Sequence, residues 1–196
     1  MRIGIFGGSF NPIHCGHIAI AKEMLRALRL HEIWFMVSPL NPFKAQETDL
    51  LPDYLRLDIA REALAREPRL LPRDDEFRLP RPSYTWQTLQ HLQAEHPDHQ
   101  FTLIIGADNW LAFDRWRNFQ DILDRYPIAV YPRQGCPIDP RSLPPTVTLV
   151  DTPLHPVSST DIRQRAAQGQ PLLGLVPRRT IPLVRRYYSP KKHPAS

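Results

Sequence analysis

Short apolar runs alternate with amphipathic segments along most of this chain. The apolar runs suit buried β-strands and lie at residues 2–6, 32–37, 101–105, 128–131 and 147–150, with a weaker one at 69–71. Between them, apolar positions at helical spacing predict helices over residues 16–28, 52–65, 84–95, 118–126 and about 178–188, and one that begins after Val157. This alternation predicts an α/β fold, a Rossmann-like doubly wound parallel sheet flanked by helices, with a small C-terminal helical segment over about 158–190.

Size and composition limit the architecture. At 196 residues the chain is long enough for one substantial core, and we expect a single domain over residues 1–196. Apolar residues make up 42% and charged residues 23%, as in ordinary globular proteins, and no apolar stretch is long enough to span a bilayer. Cys15 and Cys136 are too few for a disulfide framework. We therefore expect a cytoplasmic protein without a membrane partner, either a monomer or a homo-oligomer.

The positive net charge comes from one end of the chain. Of the 25 basic residues, six lie in residues 176–196, which hold no acidic residue, so 19 basic residues remain against 20 acidic ones. A nearly neutral body argues against nucleic acid as a partner, and the basic end is typical of a solvated final helix. A polyanion-binding patch at this end is the alternative.

The first candidate site directly follows the first predicted strand. Residues 7–17 read GGSFNPIHCGH and lead into an amphipathic helix. Gly7 and Gly8 are expected to allow a tight turn or the close approach of a ligand, and the amides at the start of the helix favour phosphate. His14 and His17 are three residues apart and would face this site if the turn between them is helical. A glycine turn with a capping histidine, or a zinc pair, is the alternative, although no third ligand has suitable spacing.

A second candidate site lies near the other end of the chain, where residues 157–163 read VSSTDIR. Either serine is expected to cap the helix that follows, and the hydroxyls, the exposed amides and Arg163 one turn onward would form an anion cradle. Taken alone, this sequence is equally a plain helix cap. Open α/β sheets bind ligands beyond the carboxyl ends of their strands, so the first loop and the segments at 38–44 and 106–108 are expected to converge on one edge.

Five motifs occur in order along the chain. They are GGSFNPIHCGH at residues 7–17, SPLNPFK at 38–44, PSYTWQTL at 82–89, GADNWLAFDRW at 106–116 and SSTDIR at 158–163. Together they resemble the nucleotidyltransferase α/β-phosphodiesterase superfamily and, over nearly the full length, the bacterial nicotinate-nucleotide adenylyltransferases within it. The resemblance implies adenylyl transfer from ATP to nicotinate mononucleotide, giving deamido-NAD (nicotinate adenine dinucleotide) and pyrophosphate in NAD biosynthesis. It also implies Mg²⁺ carried with ATP as the cofactor, with no metal ligands on the protein itself.

The resemblance also assigns roles to individual residues. His14 and His17 would donate hydrogen bonds to the ATP phosphates, Lys44 would hold the mononucleotide phosphate or the transition state, and Arg163 would grip the β and γ phosphates. The implied ATP site comprises Gly7, Gly8, Ser9, Phe10, His14, His17, Gly106, Asp108, Ser159, Thr160 and Arg163. The implied nicotinate mononucleotide site comprises Ser9, Lys44, Thr85 and Trp116. Ser83 is expected to cap the helix that contains Thr85.

Other interpretations and two departures accompany these assignments. Taken alone, Lys44 is an exposed loop lysine, Trp116 a core residue and Asp108 the N-cap of the next helix. Asn11 stands where aspartate is also common in the family, and Arg117 stands where an aromatic residue is often found. Two functional alternatives follow: the same transfer to nicotinamide mononucleotide or another phosphorylated acceptor, and a non-catalytic module that binds nucleotides or nucleic acid.

Overall fold

Six parallel β-strands form one sheet in the computed structural model, which describes residues 1–39 and 50–189. They are β1 (Arg2–Gly8), β2 (Glu32–Val37), β3 (Leu70–Arg73), β4 (Gln100–Gly106), β5 (Ile128–Tyr131) and β6 (Val147–Leu149). Their spatial order is β3-β2-β1-β4-β5-β6, and every neighbouring pair is parallel. The chain builds outward from β1 to β3 and then returns to the other side of β1 with β4. The predicted Rossmann-like, doubly wound sheet is therefore confirmed, and the weak run at 69–71 belongs to a strand.

Seven α-helices connect or follow the strands in the described residues. They are α1 (Cys15–Ala27), α2 (Asp53–Leu64), α3 (Thr85–Glu95), α4 (Ala107–Trp110), α5 (Phe119–Arg125), α6 (Ser159–Ala167) and α7 (Ile181–Tyr188). Short 3₁₀ helices lie at Asp75–Arg78, Phe113–Arg115, Pro140–Ser142 and Arg178–Thr180. The last predicted helix begins with one of these turns and becomes α-helical at Ile181. The one-turn helix α4 was not predicted, because one turn is too short to show a periodicity.

Successive strand residues point to opposite faces of the sheet, and both faces are covered. Phe6, Phe35 and Ile104 pack on the side of α1, α2, α6 and α7. Ile5 and Leu103 pack on the side of α3 and α5. Burial on both sides explains why the strands appear in the sequence as continuous apolar runs rather than as alternating ones.

The C-terminal helices belong to this packing. Ile162 and Ala166 of α6 and Val184 of α7 are buried in the same apolar cluster as α1 and α2. This shared cluster supports the single-domain organisation, which stays a prediction. In the described ranges, none of the helices has the length and apolar character needed to cross a membrane.

A buried arginine ties three segments together near the carboxyl ends of the strands. Arg56 of α2 has no exposed surface. Its guanidinium donates to the carbonyl oxygens of Leu51 at 2.7 Å, of Pro39 at 3.2 Å, and of Ser9. Burial lowers the pKa of Arg56. Because one planar group with five donors serves carbonyls from three segments, it fixes the loop after β1 against both other segments.

We expect the substitution Arg56→Met to lower the free energy of unfolding by about 2–4 kcal/mol, because methionine keeps much of the apolar stem but leaves buried carbonyls without a donor. Urea denaturation followed by circular dichroism measures the change. Arg61→Met on the same helix is the matched control, since Arg61 is exposed and pairs only loosely with Asp58 at 3.4 Å. Its effect should stay within about 0.5 kcal/mol. Equal effects of the two substitutions would contradict the role of Arg56.

Candidate active site

A cavity of about 540 Å³ opens at the carboxyl ends of β1 and β4, where the strand order reverses. Open α/β sheets bind their ligands at this position. All predicted site residues that fall within the described residues line the cavity, namely Gly7, Gly8, Ser9, Phe10, His14, His17, Thr85, Gly106, Asp108, Trp116, Ser159, Thr160 and Arg163. Lys44 lies outside the described residues. The structure therefore brings segments from both ends of the chain into one cleft.

His14 and His17 pair across the first turn of α1. His14 is the N-cap residue, and its Nδ1 accepts a hydrogen bond from the backbone amide of His17 at 3.3 Å. In return, Nδ1 of His17 accepts from the backbone amide of His14 at 3.3 Å, and the two rings stack with centroids 3.6 Å apart. Because Nδ1 is the acceptor in each ring, this network assigns the proton of each neutral imidazole to Nε2. Each ring thus keeps one N–H donor for a ligand.

The surroundings keep both imidazoles neutral. Burial, followed by the charges of Arg133 and His155, lowers the pKa of His14 to about 4. Burial, followed by His14 and Arg133, lowers the pKa of His17 well below its ordinary value. The pair therefore offers hydrogen bonds to an anion without adding positive charge of its own.

The two glycines of the first motif end β1 and do not form the turn. Among these residues, the left-handed backbone conformation belongs to Phe10, with φ 46°, and to neither glycine. The expectation of a tight turn at Gly7 and Gly8 is therefore wrong. A Cβ atom built at Gly7 would meet nothing within 4 Å, whereas one at Gly8 would meet the Phe10 ring at 3.1 Å. Gly7 leaves open space at the cavity wall, which suits the other expectation, close approach of a ligand.

The start of α6 is bonded to the loop that precedes α1. Ser158, the first of the two candidate serines, is the N-cap and accepts from the amide three residues on at 3.1 Å. The hydroxyl of Ser159 donates to the carbonyl oxygen of Pro12 at 2.9 Å, and Nη1 of Arg163 donates to that of Asn11 at 2.9 Å. The hydroxyl proton of Ser159 is thus held within the protein. Ser158, Ser159 and Thr160 at the helix start line the cavity, and a helix start favours an anion.

The N-terminus of α3 faces the same cavity. Thr85 is its first residue, and the N-cap residue Tyr84 makes no side-chain capping bond. The expectation that Ser83 caps this helix is wrong, because the Ser83 hydroxyl donates instead to Glu76 at 2.7 Å. Without a side-chain cap, amides of the first turn remain available to an anionic group.

Trp116 and Arg117 lie near this end of the cavity, and Arg117 is one of the two departures from the family pattern. Trp116 is half-buried, packs against Phe113 with centroids 5.3 Å apart, and also lines the cavity. Its core role and its place in the site are therefore compatible. Arg117 lies with its guanidinium 5.0 Å from the centre of the Tyr84 ring. The Arg117 guanidinium thus covers the ring of Tyr84, the residue before Thr85. Arg117 itself stands at the position where the family resemblance leads us to expect an aromatic residue.

Arg133 is a cavity residue that the sequence reasoning missed. Its Nε lies 3.5 Å from Oδ1 of Asp108. Asp108 is the second residue of α4, whose N-cap is Gly106, so the N-cap alternative for Asp108 is wrong. A Cβ atom at Gly106 would crowd Oδ1 of Asp108 and the side chain of Arg133 at 3.1 Å, so a larger residue there would displace this pair. The available signal for Arg133 was its place just after β5, whose carboxyl end opens on the same edge.

The acidic residues bear on metal binding. The described residues contain one cluster of possible metal ligands: Asp75, His91 and Glu95. It does not line the cavity, and both carboxylate oxygens of Asp75 accept from Arg73 at 2.8 Å. The described carboxylates that line the cavity are those of Asp108 and Glu76. This donor set fits a magnesium ion that keeps mainly phosphate and water oxygens as ligands.

The fold agrees with the comparison to known proteins. A family model described as cytidylyltransferase-like matches residues 5–165, so the chain belongs to that family. A solved structure of Plasmodium falciparum nicotinic acid mononucleotide adenylyltransferase, complexed with NaAD, superposes with a TM-score of 0.77 over 95% of both chains. At 18% identity, that likeness supports the fold alone.

The relatives with named activities are more similar in sequence. The "Probable nicotinate-nucleotide adenylyltransferase" of Bacteroides fragilis is 50% identical over 169 residues, which cover 86% of this chain and 84% of the relative. The protein of the same name from Cytophaga hutchinsonii is 41% identical, and the match covers 96% of this chain and 99% of that one. Within the cytidylyltransferase-like family, the chain is thus similar to proteins named as probable nicotinate-nucleotide adenylyltransferases.

The lowered pKa of His14 predicts a loss of stability in acid. The unfolded chain takes up the proton near pH 6.5, whereas the folded protein takes it up only near pH 4. The difference in pKa between the two states makes the folded protein more stable when His14 is neutral. This stabilisation is complete above pH 6.5 and is lost as the pH falls toward 4. Urea denaturation at a series of pH values measures it.

The matched variant for this measurement is His14→Asn, because asparagine is also a good N-cap but does not titrate. Between pH 6.5 and 4.5 the free energy of unfolding of this variant should fall less steeply than that of the wild type. The two slopes should differ by up to about 1 kcal/mol per pH unit. Parallel pH curves for the two proteins would show that His14 does not stay neutral in the folded state.

Proposed function

We propose that this chain transfers the adenylyl group of ATP to nicotinate mononucleotide, giving nicotinate adenine dinucleotide and pyrophosphate in NAD biosynthesis. The observation that carries the proposal is the single cavity shared by His14 and His17 from one motif and Arg163 from the other. Curated relatives up to 50% identical carry this activity in their names. Transfer to nicotinamide mononucleotide would use the same chemistry. The two candidate functions differ only in the acceptor that the protein prefers.

The reaction is an in-line displacement at phosphorus. An oxygen of the mononucleotide's 5′-phosphate attacks the α-phosphorus of ATP and forms a new P–O bond. The bond from that phosphorus to the bridging oxygen breaks, and its electron pair leaves with pyrophosphate. Because the attacking oxygen is already anionic, the reaction needs no general base. The protein's task is to align two polyanions and to stabilise the charge that develops on the leaving group.

The ATP end of the cavity provides hydrogen bonds and positive charge from different residues. The Nε2–H groups of His14 and His17 serve the phosphates, with His17 nearest the α-phosphate. Arg163 and the amides at the start of α6 hold the β and γ phosphates, and Arg133 adds a second cation. Asp108 accepts from ribose hydroxyls. Neutral imidazoles suit this arrangement, because as cations they would be buried and repelled by Arg133 in the same cavity.

The acceptor end is the side of Thr85 and Trp116. The uncapped first turn of α3 receives the nicotinate carboxylate, and the indole of Trp116 stacks on the pyridine ring. Lys44, outside the described residues, holds the mononucleotide phosphate. A carboxylate at a helix N-terminus gains about 0.3–1 kcal/mol from the helix dipole and about 1.5–3 kcal/mol from a hydrogen bond to a free amide, and a neutral carboxamide gains much less from both. This end of the cavity therefore favours the acid over the amide.

Magnesium carried with ATP would supply positive charge that neutralises part of the polyphosphate. The described cavity residues fit this, since they offer the phosphates mainly hydrogen-bond donors. A cytoplasmic location follows from the use of ATP as donor.

A coupled assay of pyrophosphate release with ATP, Mg²⁺ and each mononucleotide tests the proposal. We expect kcat/KM for nicotinate mononucleotide to exceed that for nicotinamide mononucleotide by at least about tenfold. The His17→Ala variant should keep its fold and lose about 100-fold or more in kcat, because one phosphate donor is gone. A preference for the amide would overturn the choice of acceptor. Unchanged turnover in His17→Ala would overturn the role of that residue.

Gly7→Ala tests the approach of ATP to the end of β1. The added methyl group meets no protein atom within 4 Å, so the free energy of unfolding should change by less than about 0.5 kcal/mol. The KM for ATP should nevertheless rise about tenfold or more, because the methyl group occupies space that the ligand needs. Gly4→Ala in the same strand is the control. Its methyl group meets Ile104 at 2.7 Å in the core, so it should reduce stability without a selective effect on ATP.

A further inference from the structure

Glu76 is a buried carboxylate at the acceptor end that the reaction as described does not use. It lies in the 3₁₀ helix Asp75–Arg78 after β3, is 6% exposed and lines the cavity. Its Oε2 accepts from the Ser83 hydroxyl at 2.7 Å, and its Oε1 accepts from the Thr88 hydroxyl at 3.0 Å. Each carboxylate oxygen is thus engaged by a different hydroxyl.

The two hydroxyls lie on either side of the residues that receive the nicotinate carboxylate in the proposed function. Ser83 precedes the N-cap residue Tyr84, and Thr88 is in the first turn of α3, three residues after Thr85. The N-cap residue Tyr84 makes no side-chain capping bond to the first turn of this helix. The carboxylate of Glu76 provides that restraint from outside the helix.

The neighbouring acid on the same 3₁₀ helix shows that a buried carboxylate here does not need these hydroxyls. Asp75 is 2% exposed and is held by Arg73, through two hydrogen bonds of 2.8 Å. Glu76 instead receives neutral hydroxyl donors, which compensate a buried carboxylate less well than a guanidinium does. The arrangement at Glu76 is therefore better explained by what it positions than by its own stability.

We propose that Glu76 is a positioning residue for the acceptor, which holds the start of α3 through Ser83 and Thr88 so that its free amides meet the nicotinate carboxylate. The inference rests on the proposed function. It predicts that loss of Glu76 changes the use of the mononucleotide and leaves the use of ATP nearly unchanged. It also predicts weaker discrimination between the acid and the amide.

The experiment measures KM for ATP, KM for nicotinate mononucleotide and the acid-to-amide ratio of kcat/KM in full-length variants. Glu76→Ala removes both acceptors. Ser83→Ala with Thr88→Val removes both donors and leaves the carboxylate in place. Glu76→Gln keeps one acceptor, and Thr88 has a second acceptor in the Tyr84 carbonyl at 3.3 Å, so glutamine can retain much of the restraint. Asp75→Asn is the matched control, a buried neighbour bonded outside the acceptor site.

We expect Glu76→Ala and the Ser83→Ala/Thr88→Val pair each to raise KM for nicotinate mononucleotide by about tenfold or more, because small displacements of positioning groups are costly. The KM for ATP should stay within about twofold, and the acid-to-amide ratio should fall by about tenfold. Glu76→Gln and Asp75→Asn should stay close to wild type in both KM values and in the acid-to-amide ratio of kcat/KM. Combining Glu76→Ala with the hydroxyl substitutions should add little, since all act through the same contacts.

Two outcomes would overturn the inference while the wild type still uses nicotinate mononucleotide. Equal increases of both KM values in Glu76→Ala would show a general structural effect. The second outcome has two parts: Glu76→Gln is as impaired as Glu76→Ala, and the Ser83→Ala/Thr88→Val pair has no effect. Together they would show that the carboxylate contacts substrate directly. Absence of wild-type activity on the acid would instead overturn the proposed function. If Glu76→Ala does not fold, the hydroxyl pair and Glu76→Gln give the same decision.

Discussion

The cavity depends on hydrogen bonds that join the start of α6 to the loop before α1. Ser159 and Arg163 bind the carbonyl oxygens of Pro12 and Asn11, which lie roughly 150 residues earlier in the chain. The side chain of Asn11 continues this junction, because its Oδ1 accepts from the Tyr188 hydroxyl at 2.6 Å and from the Leu51 amide at 3.3 Å. The C-terminal helices are thus fixed on the loop that ends in the histidine pair. Without this junction the two motifs proposed to bind the phosphates would have no defined spacing.

The two histidines of the cavity are neutral, and its positive charge lies on other residues. Each histidine uses its Nδ1 to satisfy an amide at the start of α1, and this same bond fixes the tautomer that presents Nε2–H. The positive charge comes from Arg133 and Arg163, and one acidic partner, Asp108, offsets part of it. The histidines therefore combine two functions, helix capping and ligand donation, and they can do so only in the uncharged form.

Much of the fold could be predicted from the sequence because parallel strands buried on both faces leave continuous apolar runs. The strand at 69–71 gave a weaker signal, since β3 contains Pro72 and polar positions at the sheet edge. The residues of the first loop and of the segment at 158–163 were found because they follow a strand or begin a helix, whereas Thr85 and Trp116 were assigned by the family resemblance. Arg133 was missed although it directly follows a predicted strand, and Glu76 was missed because its significance comes from tertiary contacts, which no local spacing reveals. Ser83 was misassigned for the same reason, since a distant carboxylate outcompetes the local capping bond.

The acceptor end contains an apparent electrostatic conflict, because a buried carboxylate lies beside the place proposed for a carboxylate substrate. The start of α3 resolves it, since a helix N-terminus carries about half a positive charge and stabilises negative groups around its first turn. Glu76 contacts this turn through hydroxyls on the protein side and leaves the amides to the cavity side. An arginine in place of this arrangement would also bind a carboxylate, but it would compete for the phosphates of both substrates. Amides bind more weakly and retain selectivity for the ring carboxylate, which suits a cavity that must hold two polyanions in a fixed order.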